Sequence, residues 1–334
     1  MNRQQAFINW LADILGENNI DLQAMTGDAG FRRYYRVKLK KSTVIAVDAP
    51  NDKSNNQAFI ALQQSFAEQG VNVPDIIAVE GSQGFFCLSD LGNIMLADTL
   101  TPESMQSDYQ NAITLLPAIS KTAVVSNYQL PVFDRPFIQT ELDIFSEWLI
   151  GEFLEIEEQI DKTKLQYCFN LLIENALEQP QVLMHRDFHS RNIMVLTHGE
   201  YAIIDFQDAV KGPITYDAVS LLRDCYVKWP DHNVELLFKQ CIEQFIQADE
   251  ALGHIEFDQW QRWFDLTGLQ RHVKVAGIFP RLSLRDGKDG YLNDTPIVLE
   301  YIIEVSAKYP ELSYLHDITA QIIQPAFLQK MKGK

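Results

Sequence analysis

His185, Asp187 and Asn192 stand in the stretch LMHRDFHSRNIMV (183–195), and Asp205 stands in YAIIDFQDA (201–209). Asn192 follows Asp187 by five residues, and Asp205 follows Asn192 by thirteen. Transfer of a phosphoryl group needs a carboxylate beside the attacking hydroxyl, to orient it and take its proton. It also needs a second carboxylate and another oxygen ligand to hold magnesium against the phosphates. These residues supply that set: Asp187 as base, Asn192 and Asp205 as metal ligands. Taken singly, each has a plainer reading, Asp187 and Asn192 as turn residues and Asp205 as a helix cap. A metal site of His185, Asp187 and His189 would leave Asn192 and Asp205 without a purpose. His185 is expected to be scaffolding, and His189 to have no chemical role.

These side chains must be positioned by the elements around them. The segment 182–210 reads as two short strand-like pieces separated by polar loops. Upstream, the first stretch, MNRQQAFINWLADILGENN, carries Phe7, Trp10, Leu11, Ile14 and Leu15 at helical spacing. Residues 31–39 alternate at strand period, and TVIAVDA returns after KKS as the second strand of an antiparallel hairpin. A helix is predicted near 55–69 and further strands at DIIAVE and GFFCLSDLG. After residue 100 the patterns are helical, near 105–122, 138–158, 163–178, 215–228, 233–250, 257–275 and 298–308. The expected fold class is therefore α+β, with a β-rich N-lobe (1–92) and a mostly helical C-lobe (93–334) joined near Asp90–Gly92.

Composition narrows the partners. The 334 residues carry a net charge of −17, and the isoelectric point is about 4.8. A wholesale nucleic-acid binder needs a basic surface, so that class is not expected. The four cysteines, Cys87, Cys168, Cys225 and Cys241, are scattered and form no C-x-x-C pair. A reducing compartment fits them best. The first residues read as an amphipathic helix rather than a signal peptide, and no apolar run approaches the ~18 residues of a membrane span. A cytoplasmic protein without nucleic-acid or membrane partners is expected.

The pattern H-x-D-x-x-x-x-N followed by an apolar-Asp-Phe strand matches the catalytic and metal-binding loops of kinases. With FRRYYRV, DAP, LSDLG, GPITYDAVSLLRD and LQRHVKVAGIFPRL, the chain resembles the aminoglycoside phosphotransferase family over nearly its whole length. Within that family it is most similar to the anomeric sugar kinases of bacterial cell-wall recycling, which phosphorylate N-acetylmuramate and N-acetylglucosamine at C1. The resemblance implies a protein-kinase-like two-lobed fold, ATP and Mg²⁺ as cofactors, a small sugar as substrate, and Asp187 as the base.

The glycine-rich loop of a kinase should fall at GDAGFRRYYRV, where Gly27 and Gly30 would let backbone amides approach phosphates. Six cations crowd residues 32–41, and Arg32 and Arg33 directly follow the glycine turn. Both are expected on ATP phosphates or substrate, while Lys38, Lys40 and Lys41 also fit a solvated strand face. The next strand departs from the kinase pattern: it reads TVIAVDAP, with Asp48 near the position of the usual lysine. An arginine from the glycine loop is expected to replace that charge. LSDLG (88–92), containing Asp90, fits a hinge meeting the adenine edge, or a simple interdomain turn. Beyond Asp205 the chain carries Arg223, Arg271, His272, Lys274, Arg281, Arg285 and Lys288. A cationic acceptor would want acids there, so the run favours a neutral or anionic one, and arginine can grip a carboxylate bidentately. Arg223, Arg271, His272 and Arg281 are the expected substrate contacts, although pairing with Asp224, Asp265 and Asp286 would also account for such cations. Asp217 is expected to cap the following helix or to brace the catalytic loop. The alternatives are an aminoglycoside or choline-type phosphotransferase, or a pseudokinase that binds without catalysis.

Overall fold

The computed structural model describes residues 2–25, 31–124 and 128–333. It begins with helix α1 (Arg3–Leu15), capped by the Asn2 side chain on the Gln5 amide at 2.8 Å. Phe7 and Leu11, one turn apart, are its buried residues. Five antiparallel strands follow: β1 (Leu22–Ala24), β2 (Arg33–Lys38), β3 (Thr43–Asp48), β4 (Ile76–Glu80) and β5 (Phe85–Ser89), in the order β1-β2-β3-β5-β4. Helix α2 (Asn56–Glu68) lies between β3 and β4 in the chain. The ring of Phe7 packs on Phe85 at 4.9 Å and Tyr35 at 6.0 Å, which seats α1 on the sheet. Short helices α3 (Leu96–Thr99), α4 (Met105–Ile113) and α5 (Leu116–Lys121) complete this stretch, with Pro117 starting α5 where one helix over 105–122 was expected.

Residues 181–213 form two nested hairpins. The outer pair is β6 (Gln181–Met184) with β9 (Val210–Pro213), and the inner pair is β7 (Ile193–Val195) with β8 (Tyr201–Ile203).

The helical remainder contains α6 (Arg135–Ile144), a π-helical continuation (Phe145–Leu154), α7 (Lys162–Glu178), α8 (Tyr216–Leu222), α9 (Asp231–Ala248), α10 (Phe257–Asp286), α11 (Thr295–Ser306), α12 (Ser313–Ile318) and α13 (Gln324–Lys332). Its core joins Leu142, Phe145, Leu149, Phe169, Leu172, Val273, Ala276, Leu299 and Ile302, all buried. Helix α10 passes through this core and runs on past residue 275, with Pro280 inside it. Gly277 is the close-approach point: a Cβ there would lie 2.4 Å from the Ile144 carbonyl oxygen.

Compactness divides the chain differently from a single join at residue 92. One unit comprises Met1–Leu130 with Ser190–Ala209, and the other comprises Pro131–His189 with Val210–Lys334. The reason lies in local bonding inside the first unit. Val195 donates to the Ile94 carbonyl at 2.9 Å, Ile203 donates to that of Asn72 at 2.9 Å, and Phe206 stacks on Phe59 at 5.2 Å. The chain crosses between units within the HRDFHSRN motif, between His189 and Ser190. Among the described residues no helix is long and apolar enough to cross a membrane.

Candidate active site

In the larger helical unit, β6 delivers its chain directly into the loop 185–189. Asp217, at the start of α8 and 5% exposed, accepts the backbone amides of His185 at 2.7 Å and Arg186 at 3.0 Å. Of the two roles expected for Asp217, bracing the loop is the one these bonds perform. Arg186 has φ 75°, a left-handed conformation that costs a non-glycine residue about 1–3 kcal/mol. Its other handles are also held: Arg271 Nη1 donates to its carbonyl at 2.9 Å, and its own Nη2 donates to Glu141 at 2.7 Å. The Asp187 amide donates to His185 Nδ1 at 3.3 Å, and the His189 amide donates to the Asp187 carbonyl at 2.9 Å. His185 is thus scaffolding, buried with its Nδ1 serving as an acceptor.

The electrostatics of this loop centre on Asp187. Burial pushes its carboxyl up, but Lys274, then Arg271, His189 and Arg186, outweigh burial and hold it at about 2. It is therefore a carboxylate throughout the neutral range. Burial pushes the His189 imidazole down, against the pull of Asp224 and Asp187, so it is neutral there. Asp217 is pushed up by burial despite His185 and the two amides it accepts.

In the sheet-containing unit, the Ile204 amide donates to the Asn192 carbonyl at 3.0 Å, tying the loop before β7 to the residue before Asp205. Asp205 also takes a left-handed conformation, φ 64°, and accepts Gln207 Nε2 at 2.7 Å. Phe206 is fully buried between Phe59 (5.2 Å) and Phe66 (5.7 Å), an anchor that sets the direction of its neighbour Asp205. Burial pushes the Tyr34 phenol up, Arg32 opposes this, and the Asp205 carboxylate adds to it, so Arg32, Tyr34 and Asp205 share one neighbourhood. Arg32 donates to the Asn55 carbonyl at 3.0 Å and lies over the Phe59 ring at 5.4 Å. An amide oxygen and a carboxylate are hard donors that suit Mg²⁺, which takes few protein ligands and completes its shell with water and phosphate oxygens. Among the described residues there is no group of three or more His, Cys, Asp or Glu that could hold a metal ion.

The other expected nucleotide contacts have mixed placements. Gly27 and Gly30 lie outside the described residues. Arg33 faces Asp48 across the β2–β3 ladder, its Nε 3.9 Å from Oδ2, with its side chain 63% exposed. Asp48 is held instead by Arg3 of α1, whose Nε lies 2.8 Å from Oδ1. Asp90 forms a two-pronged pair with Arg36, at 2.7 and 2.8 Å, and accepts the Gly92 amide at 3.0 Å. Its side chain closes the turn at 88–92, and Arg36 Nη2 also donates to the Gly92 carbonyl at 2.8 Å.

On the acceptor side the four expected contacts separate. Arg223 pairs with Asp265 at 2.5 Å in the interior and covers the Phe264 ring at 4.5 Å. His272 is buried, donates from Nε2 to the Arg223 carbonyl at 3.0 Å, and stacks on Tyr301 at 4.3 Å. Burial pushes it down to about 3, so it is neutral. Arg271 bonds the loop 185–189 through the Arg186 carbonyl. Arg281 is half-buried, with no acid bonded to its Nε among the described residues. Sequence reasoning overlooked Glu141, one of two acids (with Asp143) in an amphipathic helix and without a local signal, and set aside His189.

The fold is that of the protein-kinase-like phosphotransferases. An ethanolamine kinase of Plasmodium vivax superposes with a TM-score of 0.63, covering 87% of this chain and 85% of its own at 14% identity. The choline kinase of Streptococcus pneumoniae gives 0.62, covering 92% and 99% at 11% identity. At those identities the likeness speaks for the fold alone. The chain belongs to the phosphotransferase enzyme family, whose model matches residues 21–261. It is 37% identical over 329 residues to the N-acetylmuramate/N-acetylglucosamine kinase of Neisseria meningitidis serogroup B, covering 97% of each chain. It is likewise 37% identical to the enzyme of that name in Pseudomonas putida, covering 90% of this chain and 88% of the other.

Proposed function

We propose that this phosphotransferase moves the γ-phosphoryl group of ATP to the anomeric hydroxyl of N-acetylmuramate or N-acetylglucosamine, in the cytoplasm, as a step in the recovery of cell-wall amino sugars. The observation that carries the reading is the 37% identity over 97% of both chains to a kinase named for those two sugars. Asp187 accepts a hydrogen bond from the sugar hydroxyl and takes its proton as the new O–P bond forms and the bond to ADP breaks. With its carboxyl held at about 2, Asp187 is a weak base, so orientation is its larger contribution. Asn192 and Asp205 hold Mg²⁺, which when bound neutralises charge on the phosphates. Arg32, Arg33 and the backbone of Gly27–Gly30 bind phosphate oxygens, and the turn containing Asp90 meets the adenine. The 1–92 and 93–334 division is retained as the functional one, nucleotide side and acceptor side.

Arg271 and Arg281 contribute to acceptor binding directly, while Arg223 and His272 support the wall behind it. Lys274 and Arg281 are seven residues apart on α10 and so share a face with Arg271. A half-buried Arg281 whose Nε bonds no acid is suited to the lactyl carboxylate of N-acetylmuramate. The test is γ-phosphate transfer from Mg-ATP to N-acetylmuramate, N-acetylglucosamine, choline and kanamycin, with the product linkage read by phosphorus NMR. Transfer at C1 of an amino sugar, lost in Asp187→Asn, is expected. Transfer confined to choline or kanamycin would refute the acceptor assignment, and failure with every acceptor despite Mg-ATP binding would favour a non-catalytic role.

A further inference from the structure

Gln207 follows Asp205 by two residues and is 7% exposed, whereas Asp205 itself is exposed. The Gln207 Nε2 donates to Asp205 Oδ1 at 2.7 Å. An ionised carboxylate only accepts, so the amide can meet Asp205 in one orientation alone, with its nitrogen outward. Its Oε1 is thereby turned inward, where it is buried and has no hydrogen-bond partner among the described residues. A buried amide oxygen left without a donor lowers stability, and an apolar side chain of similar shape would avoid that loss. Packing alone therefore gives no reason for an amide at this position.

The backbone on either side is fixed without it. The Ile204 amide bonds the Asn192 carbonyl, the Phe206 ring is wedged between Phe59 and Phe66, and the Ala209 amide closes a turn on the Phe206 carbonyl at 3.0 Å. What Gln207 adds is a hold on the Asp205 side chain. Among the described residues it makes the one hydrogen bond to that carboxylate, and no lysine or arginine pairs with it. Arg32, in the same neighbourhood, is bonded to the Asn55 carbonyl instead. An exposed aspartate without such a hold moves among rotamers, and each rotamer presents its oxygens differently.

We propose that Gln207 is a positioning residue of the metal site: its amide holds one oxygen of Asp205, so that the carboxylate meets Mg²⁺ in a single orientation. The inference rests on the reading of Asp205 as a metal ligand. A ligating carboxylate that is itself hydrogen-bonded is already aimed when the metal arrives, and loss of such a partner weakens metal binding by about 10- to 100-fold. The orphaned Oε1 is the cost in stability of placing that donor. A brace that serves only the fold would show the opposite balance, with stability lost on its removal and metal binding indifferent to it.

The experiment measures Mn²⁺ binding in the presence of ADP by electron paramagnetic resonance, for wild type, Gln207→Met and Asp205→Asn. Urea unfolding and the Mg²⁺ dependence of kcat with N-acetylglucosamine accompany it. Gln207→Met is expected to bind Mn²⁺ about 10- to 100-fold more weakly, with a urea midpoint no lower than that of wild type. Its kcat is expected to return to within about 3-fold of wild type once Mg²⁺ is saturating. Mn²⁺ affinity in Gln207→Met within about 2-fold of wild type, with affinity lost in Asp205→Asn, would overturn the proposal. So would a lowered urea midpoint together with a kcat that saturating Mg²⁺ does not restore, since the fold would then account for the loss. Should Gln207→Met not fold, Gln207→Asn, whose amide falls one methylene short of Asp205, carries the comparison by the same measures. Wild-type affinity in Asp205→Asn would instead defeat the metal-ligand reading itself.

Discussion

Asp217 accepts the His185 amide at 2.7 Å, and its second oxygen accepts the next amide along the chain. A buried carboxylate thereby holds the backbone just before Asp187, the proposed base. Asp217→Ala strands two buried amides, and a loss of about 2–4 kcal/mol in urea unfolding is expected, with kcat down by more than about 10-fold. Asp217→Asn keeps one acceptor and should recover part of both. An alanine variant with wild-type kcat would show that the loop holds its shape without this anchor.

The cations around Asp187 bear on stability as well as catalysis. Its carboxyl lies at about 2 in the folded protein against an ordinary 3.8, so its ionised form stabilises the fold at pH above 3.8. That contribution is lost as the pH falls through about 2. Asp187→Asn should therefore be less stable than wild type by about 1–2 kcal/mol at neutral pH, and the gap should shrink by about half at pH ~3. Unfolding curves at the two pH values check the sign. A gap that widens on acidification contradicts the assignment of cations to this group.

The Arg36–Asp90 pair closes the turn proposed to meet the nucleotide. Lysine at position 36 replaces a two-pronged grip by a single point contact and releases the turn at 88–92. For Arg36→Lys, KM for ATP should rise by about 3- to 10-fold, with a smaller change in kcat. An unchanged KM would show that this turn does not meet the nucleotide.

Gly277 tests the packing of α10 on α6. Alanine favours a helix by about 1 kcal/mol over glycine. Its Cβ would nonetheless meet the Ile144 carbonyl oxygen at 2.4 Å, an unyielding backbone atom. Gly277→Ala is expected to destabilise by about 1–3 kcal/mol in spite of its propensity, as urea unfolding would read.

Much of this was legible in the chain itself. The hairpin of β2 and β3 follows from strict alternation, and α2 from its apolar spacing. The motif residues Asp187, Asn192 and Asp205 are recognisable by their order and spacing, a pattern local to about twenty residues. What escaped depends on distant partners. Pro280 marks a stop in local terms, yet α10 continues through it, because the helix is packed on its surroundings and its loss of one bond is absorbed there. The helical spacing over 138–158 takes in Phe145–Leu154 but does not distinguish its π turns from α turns. Whether a cation is spent on an acid or left for a ligand is decided in three dimensions, as Arg223 with Asp265 and Arg3 with Asp48 make plain.

The first compact unit is assembled from two stretches of chain, residues 1–130 and 190–209. During synthesis its ribosome-borne precursor waits for the second stretch, since the β7–β8 hairpin and the ring that fills the space beside Phe59 are translated about sixty residues after the rest. Until then the apolar faces of α2 and the sheet have no finished cover, and a nascent chain stalled near residue 130 would be a natural client for chaperones. A truncation at that point makes a poor expression fragment for the same reason.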